Sequence, residues 1–206
     1  MLEAKELVCV RGDVRLFAGV GFALEPGGLL LVQGPNGSGK TSLLRILAGL
    51  SRPAAGEVRW SGESIRAMGE EFARELLFIG HANALKDEFS AEENLAFARE
   101  LSGRESVSVE LSAALERVGL ASRARLPVRF LSQGQKRRVA LARLCLAADT
   151  PLWILDEPFA ALDAAALDTV AGLVNDHLAA GGMAVLTTHQ DVAIEAPRRH
   201  VVVLQG

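Results

Sequence analysis

Leu29-Leu30-Leu31-Val32-Gln33-Gly34-Pro35-Asn36-Gly37-Ser38-Gly39-Lys40-Thr41-Ser42-Leu43-Leu44-Arg45-Ile46-Leu47 is the stretch from which the fold can be read. Leu29 to Val32 is a short apolar run of strand length, and Leu43, Leu44, Ile46, Leu47 and Leu50 recur at helical spacing, predicting a helix from Lys40 to about Leu50. Between them, Gly34 to Thr41 fits G-x-x-x-x-G-K-[ST]. Glycines let a backbone take positive φ and wrap closely around an anion. Consecutive N–H groups then converge into an anion nest, and the helix N-terminus adds about half a positive elementary charge. Lys40 is a point charge suited to β- and γ-phosphates. The Thr41 hydroxyl suits a Mg²⁺ ion that keeps most of its waters. Gly34, Pro35, Asn36, Gly37, Ser38, Gly39, Lys40 and Thr41 are therefore expected to hold a nucleotide's phosphates. The loop alone does not separate kinases, GTPases and ATPases.

A second apolar run, Leu152-Trp153-Ile154-Leu155, ends in Asp156-Glu157-Pro158. Buried parallel strands have this composition, and alternation along a strand sends the two carboxylates in different directions. Asp156 is expected to hold the metal and Glu157 to address the attacking water, since phosphoryl transfer depends chiefly on positioning and charge placement. Pro158 stops the strand.

Outward from these two segments the chain is α/β. Strands are expected at Leu7 to Val10, Val20 to Leu24, Glu57 to Trp60, Leu76 to Ile79, Ala184 to Thr187 and Val201 to Leu204. Glu92 to Leu101 and Val109 to Leu120 are helical in pattern, with Gly103 between them, and Arg123 to Phe130 is a loop. Ser132 stands as the N-cap of a long helix through Ala148. Further helices are expected from Ala164 to Ala179 and from Asp191 to Glu195. Residues 1–206 thus form one domain, with an α/β core of 1–82 and 150–206 and an inserted helical lobe of about 83–149. The core joins an N-terminal antiparallel part to a mixed sheet.

Composition narrows the function. The chain has 206 residues, half of them hydrophobic and 23% charged, with a formal net charge of −3, which is a globular balance without the basic stripe of a nucleic-acid binder. Lys136-Arg137-Arg138 is the one dense basic run, expected as a solvated helix face or a contact for an acidic partner. Cys9 and Cys145 have neither metal-ligand nor disulfide spacing and are expected as small buried apolar residues in a reducing compartment. No secretory h-region opens the chain, and no apolar run approaches the ~20 residues that cross a bilayer. Membrane service is expected through docking on another protein, without insertion.

Leu131-Ser132-Gln133-Gly134-Gln135 then narrows the class. Ser132 caps a helix and Gly134 lets the backbone approach a ligand, so this helix N-terminus is a second anion site. The stretch resembles the L-S-G-G-Q signature of ABC ATPases, with Gln133 in place of the first glycine. The resemblance implies a P-loop NTPase of the ABC ATPase type that binds and hydrolyses ATP with Mg²⁺. It further implies a head-to-tail homodimer, in which Ser132, Gln133, Gly134 and Gln135 close over ATP held by the other subunit. Ala161-Leu162-Asp163 resembles the D-loop that crosses such an interface, and His189, in Thr187-Thr188-His189, the histidine that contacts the γ-phosphate and holds the catalytic Glu. His81 falls where the family usually has a glutamine. The family often stacks a Tyr on adenine. This chain has no Tyr, and Arg11, with Phe17 as the alternative, falls near that position; selectivity for ATP over GTP is left open.

Within the class the chain most resembles the ATP-binding subunits of cytochrome c maturation (haem exporter) complexes. The carrying residues are Gly80-His81, the segment Gln135 to Leu144, Trp153 to Asp163 and Thr187-Thr188-His189-Gln190. That resemblance implies integral membrane partners of the CcmB and CcmC type, met partly through Ala82 to Ser90, and a peripheral place on the cytoplasmic face of the inner membrane. It also implies hydrolysis coupled to release of a haem-loaded chaperone of the CcmE type. The chain has no C-x-x-C-H, and this subunit is not expected to bind haem itself. Three alternatives stand beside this reading: the ATPase of another small ABC transporter, a soluble ABC ATPase acting on nucleic acid, and an ATP sensor without turnover. The second usually needs extra domains or two cassettes, and the third has no use for Glu157 and His189.

Overall fold

The computed structural model describes residues 1–103, 107–190 and 192–205. Three strands are buried along almost their whole length: β3 (Gly28–Gln33), β7 (Leu152–Asp156) and β8 (Met183–Thr187). They form the middle of a five-stranded parallel sheet in the order β6-β7-β8-β3-β9, flanked by β6 (Leu76–Ile79) and β9 (Arg198–Val203). The remaining strands, β1 (Leu2–Arg11), β2 (Val14–Leu24), β4 (Ala55–Trp60) and β5 (Glu63–Ser64), make an antiparallel sheet in the order β2-β1-β4-β5. The expected α/β core and N-terminal antiparallel part are present, but the antiparallel strands form a sheet of their own, so the core sheet is parallel throughout rather than mixed.

Alternation along the buried strands sends side chains to two cores. Leu30, Val32, Leu152, Ile154 and Val185 face helix α1 (Lys40–Leu47), which lies between the two sheets against Leu2, Leu7 and Leu24. Leu29, Leu31, Trp153, Leu155, Ala184 and Leu186 face the long helix α8 (Ala164–Ala179) through Val170, Val174 and Leu178. Short helices α2 (Ile65–Met68) and α3 (Glu70–Arg74) lead into β6. A third apolar cluster joins α4 (Ala91–Leu101), α5 (Ser108–Arg117), α6 (Gln133–Leu141) and α7 (Arg143–Leu146), through Leu95, Leu111, Leu115, Val128 and Val139.

Local expectations are corrected in four places. The helix after the glycine loop stops at Leu47 rather than Leu50, because Gly49 turns the chain at φ +73 and its N–H reaches back to Ile46 O. The single helix expected from Ser132 to Ala148 is two, α6 and α7. The Cys145 N–H bonds back to Ala142 O, and the Trp153 ring N–H takes the carbonyl of Ala147, ending the helix before Ala148. The helix expected over Asp191–Glu195 is not formed over its described part: Val192 to Glu195 is irregular, with Val192 and Ile194 alternately buried against the α8 core. Asp191 lies outside the described residues. The basic run is not a solvated face. Arg137 is buried at 4% exposure, Lys136 pairs with Asp87 at 3.0 Å, and Arg138 donates to Val118 O at 3.3 Å. Cys9 is buried and Cys145 half-buried, both as free thiols; burial pushes the Cys145 thiol pKa up.

Candidate nucleotide site

Strand register brings the site together. Thr187 lies opposite both Asp156 and Val32, so β3, β7 and β8 end side by side. The loop that follows β3 therefore begins beside the two carboxylates that follow β7. Gly34, Gly37 and Gly39 take φ of +146, +85 and +98, values that disfavour residues with a Cβ. At Gly34 a Cβ would stand 2.5 Å from Leu204 O and 2.7 Å from Ser38 Oγ; at Gly37 it would meet nothing within 4 Å. Gly39 is the N-cap of α1, and no side chain caps that terminus. Lys40 Nζ donates to Gly34 O at 2.7 Å and Pro35 O at 3.1 Å, so its ammonium stays with the loop.

Asp156 is 2% exposed and held from both sides. Thr41 Oγ1 donates to its Oδ2 at 2.8 Å and Thr187 Oγ1 donates to its Oδ1 at 2.7 Å. Thr187 Oγ1 also accepts the Glu157 N–H at 2.8 Å. The Glu157 carboxylate lies 3.3 Å from His189 Nε2, and the Glu157 backbone takes φ +51. A cleft of about 360 Å³, lined in part by Gly34, Lys40 and His189, opens beside this group.

Two tests bear on what the site could hold. Ser38 Oγ is buried in the loop with no hydrogen-bond partner among the described residues, and an unsatisfied buried hydroxyl costs about 1–3 kcal/mol. A phosphate oxygen would satisfy it. The Thr41 hydroxyl and the Asp156 carboxylate, converging at 2.8 Å, are the hard oxygen donors that Mg²⁺ takes alongside water and substrate phosphate. Among the described residues no group of three or more His, Cys, Asp or Glu forms a metal cage, and this site requires none.

The other expected site residues lie as follows. Ser132 is the N-cap of α6: its Oγ accepts the Gln135 N–H at 3.2 Å, and Gln135 Oε1 accepts the Ser132 N–H at 2.9 Å. Gln133 is exposed. Gly134 has a reason within its own chain, since a Cβ there would come 2.8 Å from Ala161 O. Asp163 caps α8, accepting the Ala166 N–H at 2.9 Å. His81 is exposed and makes no hydrogen bond or ion pair with the described residues. Arg11 is exposed beside the turn between β1 and β2, paired with Val14. Phe17, the alternative base-stacking residue, is corrected: it is 7% exposed, and its ring packs beneath Gly39, where a Cβ would meet it at 3.1 Å. It has no free face for a base.

Two residues of the arrangement were missed as site residues. Thr187 ends an apolar strand with a hydroxyl, which is a legible signal. Arg137 donates to the carbonyls of Asp156 and Glu157 at 2.9 and 2.8 Å, and nothing in its basic run pointed there.

The chain as a whole is similar to known proteins. The ABC transporter family matches residues 17–160. The cytochrome c biogenesis ATP-binding export protein CcmA of Dechloromonas aromatica is 57% identical over 196 residues, which cover 95% of this chain and 96% of that protein. Its namesake in Nitrosospira multiformis is 52% identical over 193 residues, covering 94% and 93%. A dimeric ATP-binding cassette solved in a post-hydrolysis state with ADP and Pi superposes with a TM-score of 0.82 at 25% identity, covering 92% of this chain and 88% of that one. With a parallel sheet that ends on a glycine loop and two carboxylates, and with relatives of this identity along almost its whole length, the chain belongs to the ABC transporter family of ATP-binding proteins and, within it, to the CcmA group.

Proposed function

We propose that this chain is the ATP-hydrolysing subunit of a cytochrome c maturation complex. It works as a head-to-tail homodimer, peripheral to the cytoplasmic face of the inner membrane. Its integral membrane partners are of the CcmB and CcmC type, and hydrolysis is coupled to release of a haem-loaded chaperone or to haem export. The α/β core of 1–82 and 150–206 carries the catalytic groups, and the lobe of about 83–149 carries the segment that meets the membrane subunit. Support comes from the CcmA relatives and from one local observation: a buried Asp156 gripped by Thr41 and Thr187, with Glu157 and His189 adjacent.

In this reading the backbone N–H groups of the loop from Gly34 to Thr41, Pro35 excepted, bind the phosphates, and the Lys40 ammonium exchanges its two loop carbonyls for phosphate oxygens. Thr41 and Asp156 would hold Mg²⁺, which would supply charge neutralisation to the phosphates. Glu157 accepts a hydrogen bond from the attacking water. As the new O–P bond forms and the bond to the bridging oxygen breaks, the water's proton passes toward that carboxylate. His189 orients Glu157 and contacts the γ-phosphate. His81, exposed on the loop after β6, would hydrogen-bond the attacking water. Ser132, Gln133, Gly134 and Gln135 of the second copy close the site, with Asp163 at the interface, and Arg11 stacks its guanidinium plane on the base.

Glu157→Gln tests the catalytic part. The variant should bind ATP with wild-type affinity, lose turnover by about a hundredfold or more, and accumulate as an ATP-bound dimer by size exclusion. Turnover at the wild-type rate removes Glu157 from this role. Capture of the tagged chain from membranes tests the physiological part: subunits of the CcmB and CcmC type should be recovered, and recovery of an unrelated permease instead would overturn the assignment to cytochrome c maturation.

A further inference from the structure

Arg137 lies two residues past Gln135 on α6 and is 4% exposed. Its guanidinium makes four hydrogen bonds and meets no carboxylate in them. Nη1 donates to Gly80 O at 3.1 Å and Asn83 Oδ1 at 3.2 Å; Nη2 donates to Asp156 O at 2.9 Å and Glu157 O at 2.8 Å. Nε is buried without a partner. Burial lowers the guanidinium's pKa from its ordinary value, with the charges of Asp156 and Glu157 acting against that. A charge placed in a dry site against neutral oxygens is costly. What the guanidinium provides in exchange is a flat fork of fixed geometry.

The two carbonyls gripped by Nη2 belong to the peptide planes on either side of the Glu157 Cα. The Glu157 N–H is fixed from the other direction by Thr187 Oγ1 at 2.8 Å. Both backbone angles of Glu157 are thereby set from outside, and this is the residue that takes φ +51. A strained backbone persists only where its surroundings over-determine it. The other arm of the same guanidinium holds the loop after β6, at Gly80 and Asn83. One turn earlier on α6, Gly134 sits against Ala161 O with no room for a Cβ. Helix α6, the loop Gly80–Asn83 and the backbone of Glu157 are therefore one braced unit with Arg137 at its centre.

We infer that Arg137 is a positioning residue for hydrolysis: it sets the backbone angles that aim the Glu157 carboxylate and makes that aim follow the loop Gly80–Asn83. Movement of the loop or of α6 then changes turnover rather than nucleotide affinity. This inference rests on the reading of Glu157 as the residue that addresses the attacking water.

The test is steady-state ATP hydrolysis by the whole chain. Arg137→Lys keeps the charge but offers a single point donor that cannot span four acceptors. It should lower kcat by about ten- to a hundredfold while KM for ATP stays within about threefold. Asn83→Ala leaves Arg137 and its other three bonds in place and should lower kcat about two- to fivefold at unchanged KM; it carries the test if the Lys variant does not fold. Millimolar guanidinium chloride should restore part of the turnover of Arg137→Ala and none of that of Glu157→Gln. A purely structural Arg137 would give a kcat that tracks the folded fraction, with no rescue. Arg137→Lys or Asn83→Ala at the wild-type rate, or KM rising in step with the fall in kcat, overturns the inference. Wild-type turnover by Glu157→Gln would instead sink the reading beneath it, and the two failures are read from different variants.

Discussion

Helices α1 and α6 begin at the two proposed anion sites, and their N-termini are built differently. At α1 the N-cap is Gly39 at φ +98 with no side chain on the terminal N–H groups. At α6 a closed capping box joins Ser132 and Gln135. Neither has an acidic residue in its first turn. Helix α4 provides the control: it carries the same kind of box, from Ser90 and Glu93, and places Glu92 and Glu93 in its first turn. Carboxylates there neutralise the helix dipole from within the chain. The terminus of α4 is thus self-sufficient, that of α1 is wholly open, and that of α6 is intermediate, with its backbone donors partly used and its positive end uncompensated. Lack of acids in the first turn is shared with α2, α7 and α8, so what sets α1 apart is its glycine N-cap at φ +98 with no side-chain cap.

This comparison can be broken at three points. The largest effect is expected at α1, where Lys40→Ala should weaken ATP binding about a hundredfold by titration calorimetry, since a hydrogen bond to a charged group contributes about 1.5–3 kcal/mol. Unchanged affinity would mean that the open terminus is not the phosphate site. Next come paired cap deletions. Ser132→Ala and Ser90→Ala should each cost about 1 kcal/mol of stability in urea unfolding, but only the α6 variant should also lower ATP turnover. Equal turnover in the two would place α6 with α4. The smallest effect is a pH slope. Hydrogen bonds from the Ser90 backbone and hydroxyl hold the Glu93 carboxyl below its ordinary 4.5. The unfolded chain then takes up this proton at a higher pH than the folded chain does. The contribution is complete above about 4.5 and is lost as pH falls through the lowered folded value. Urea midpoints should therefore fall less on acidification in Glu93→Gln than in the parent chain. Gln135, which closes the box on α6, does not titrate and adds no such slope.

Much of this was legible because its causes are local. Leu29 to Val32, the glycine spacing and Lys40-Thr41 lie within thirteen residues, and the run Leu152 to Leu155 announces a buried strand without help from its neighbours. The Ser132 cap was readable for the same reason. Arg137 was not, because its acceptors are backbone or amide oxygens 19 to 57 residues away. Backbone carbonyls leave no mark in composition, so a buried guanidinium that serves them looks like any surface basic residue. Phe17 failed as a base-stacking residue for a related reason: its position suited adenine, but its ring was already needed beneath Gly39. The segment at Val192 to Glu195 is too short for its pattern to decide on a helix, and burial of Val192 and Ile194 against the α8 core goes with an irregular backbone.

The left-handed backbone of Glu157 has an evolutionary corollary. A side chain with a Cβ is held there at a cost of about 1–2 kcal/mol, which glycine would not incur and asparagine would incur less. Selection for robustness alone would drift this position toward those residues, and a library screened only for heat tolerance should enrich them. In the proposed reading, a glutamate at this position serves the substrate at the expense of the fold that carries it.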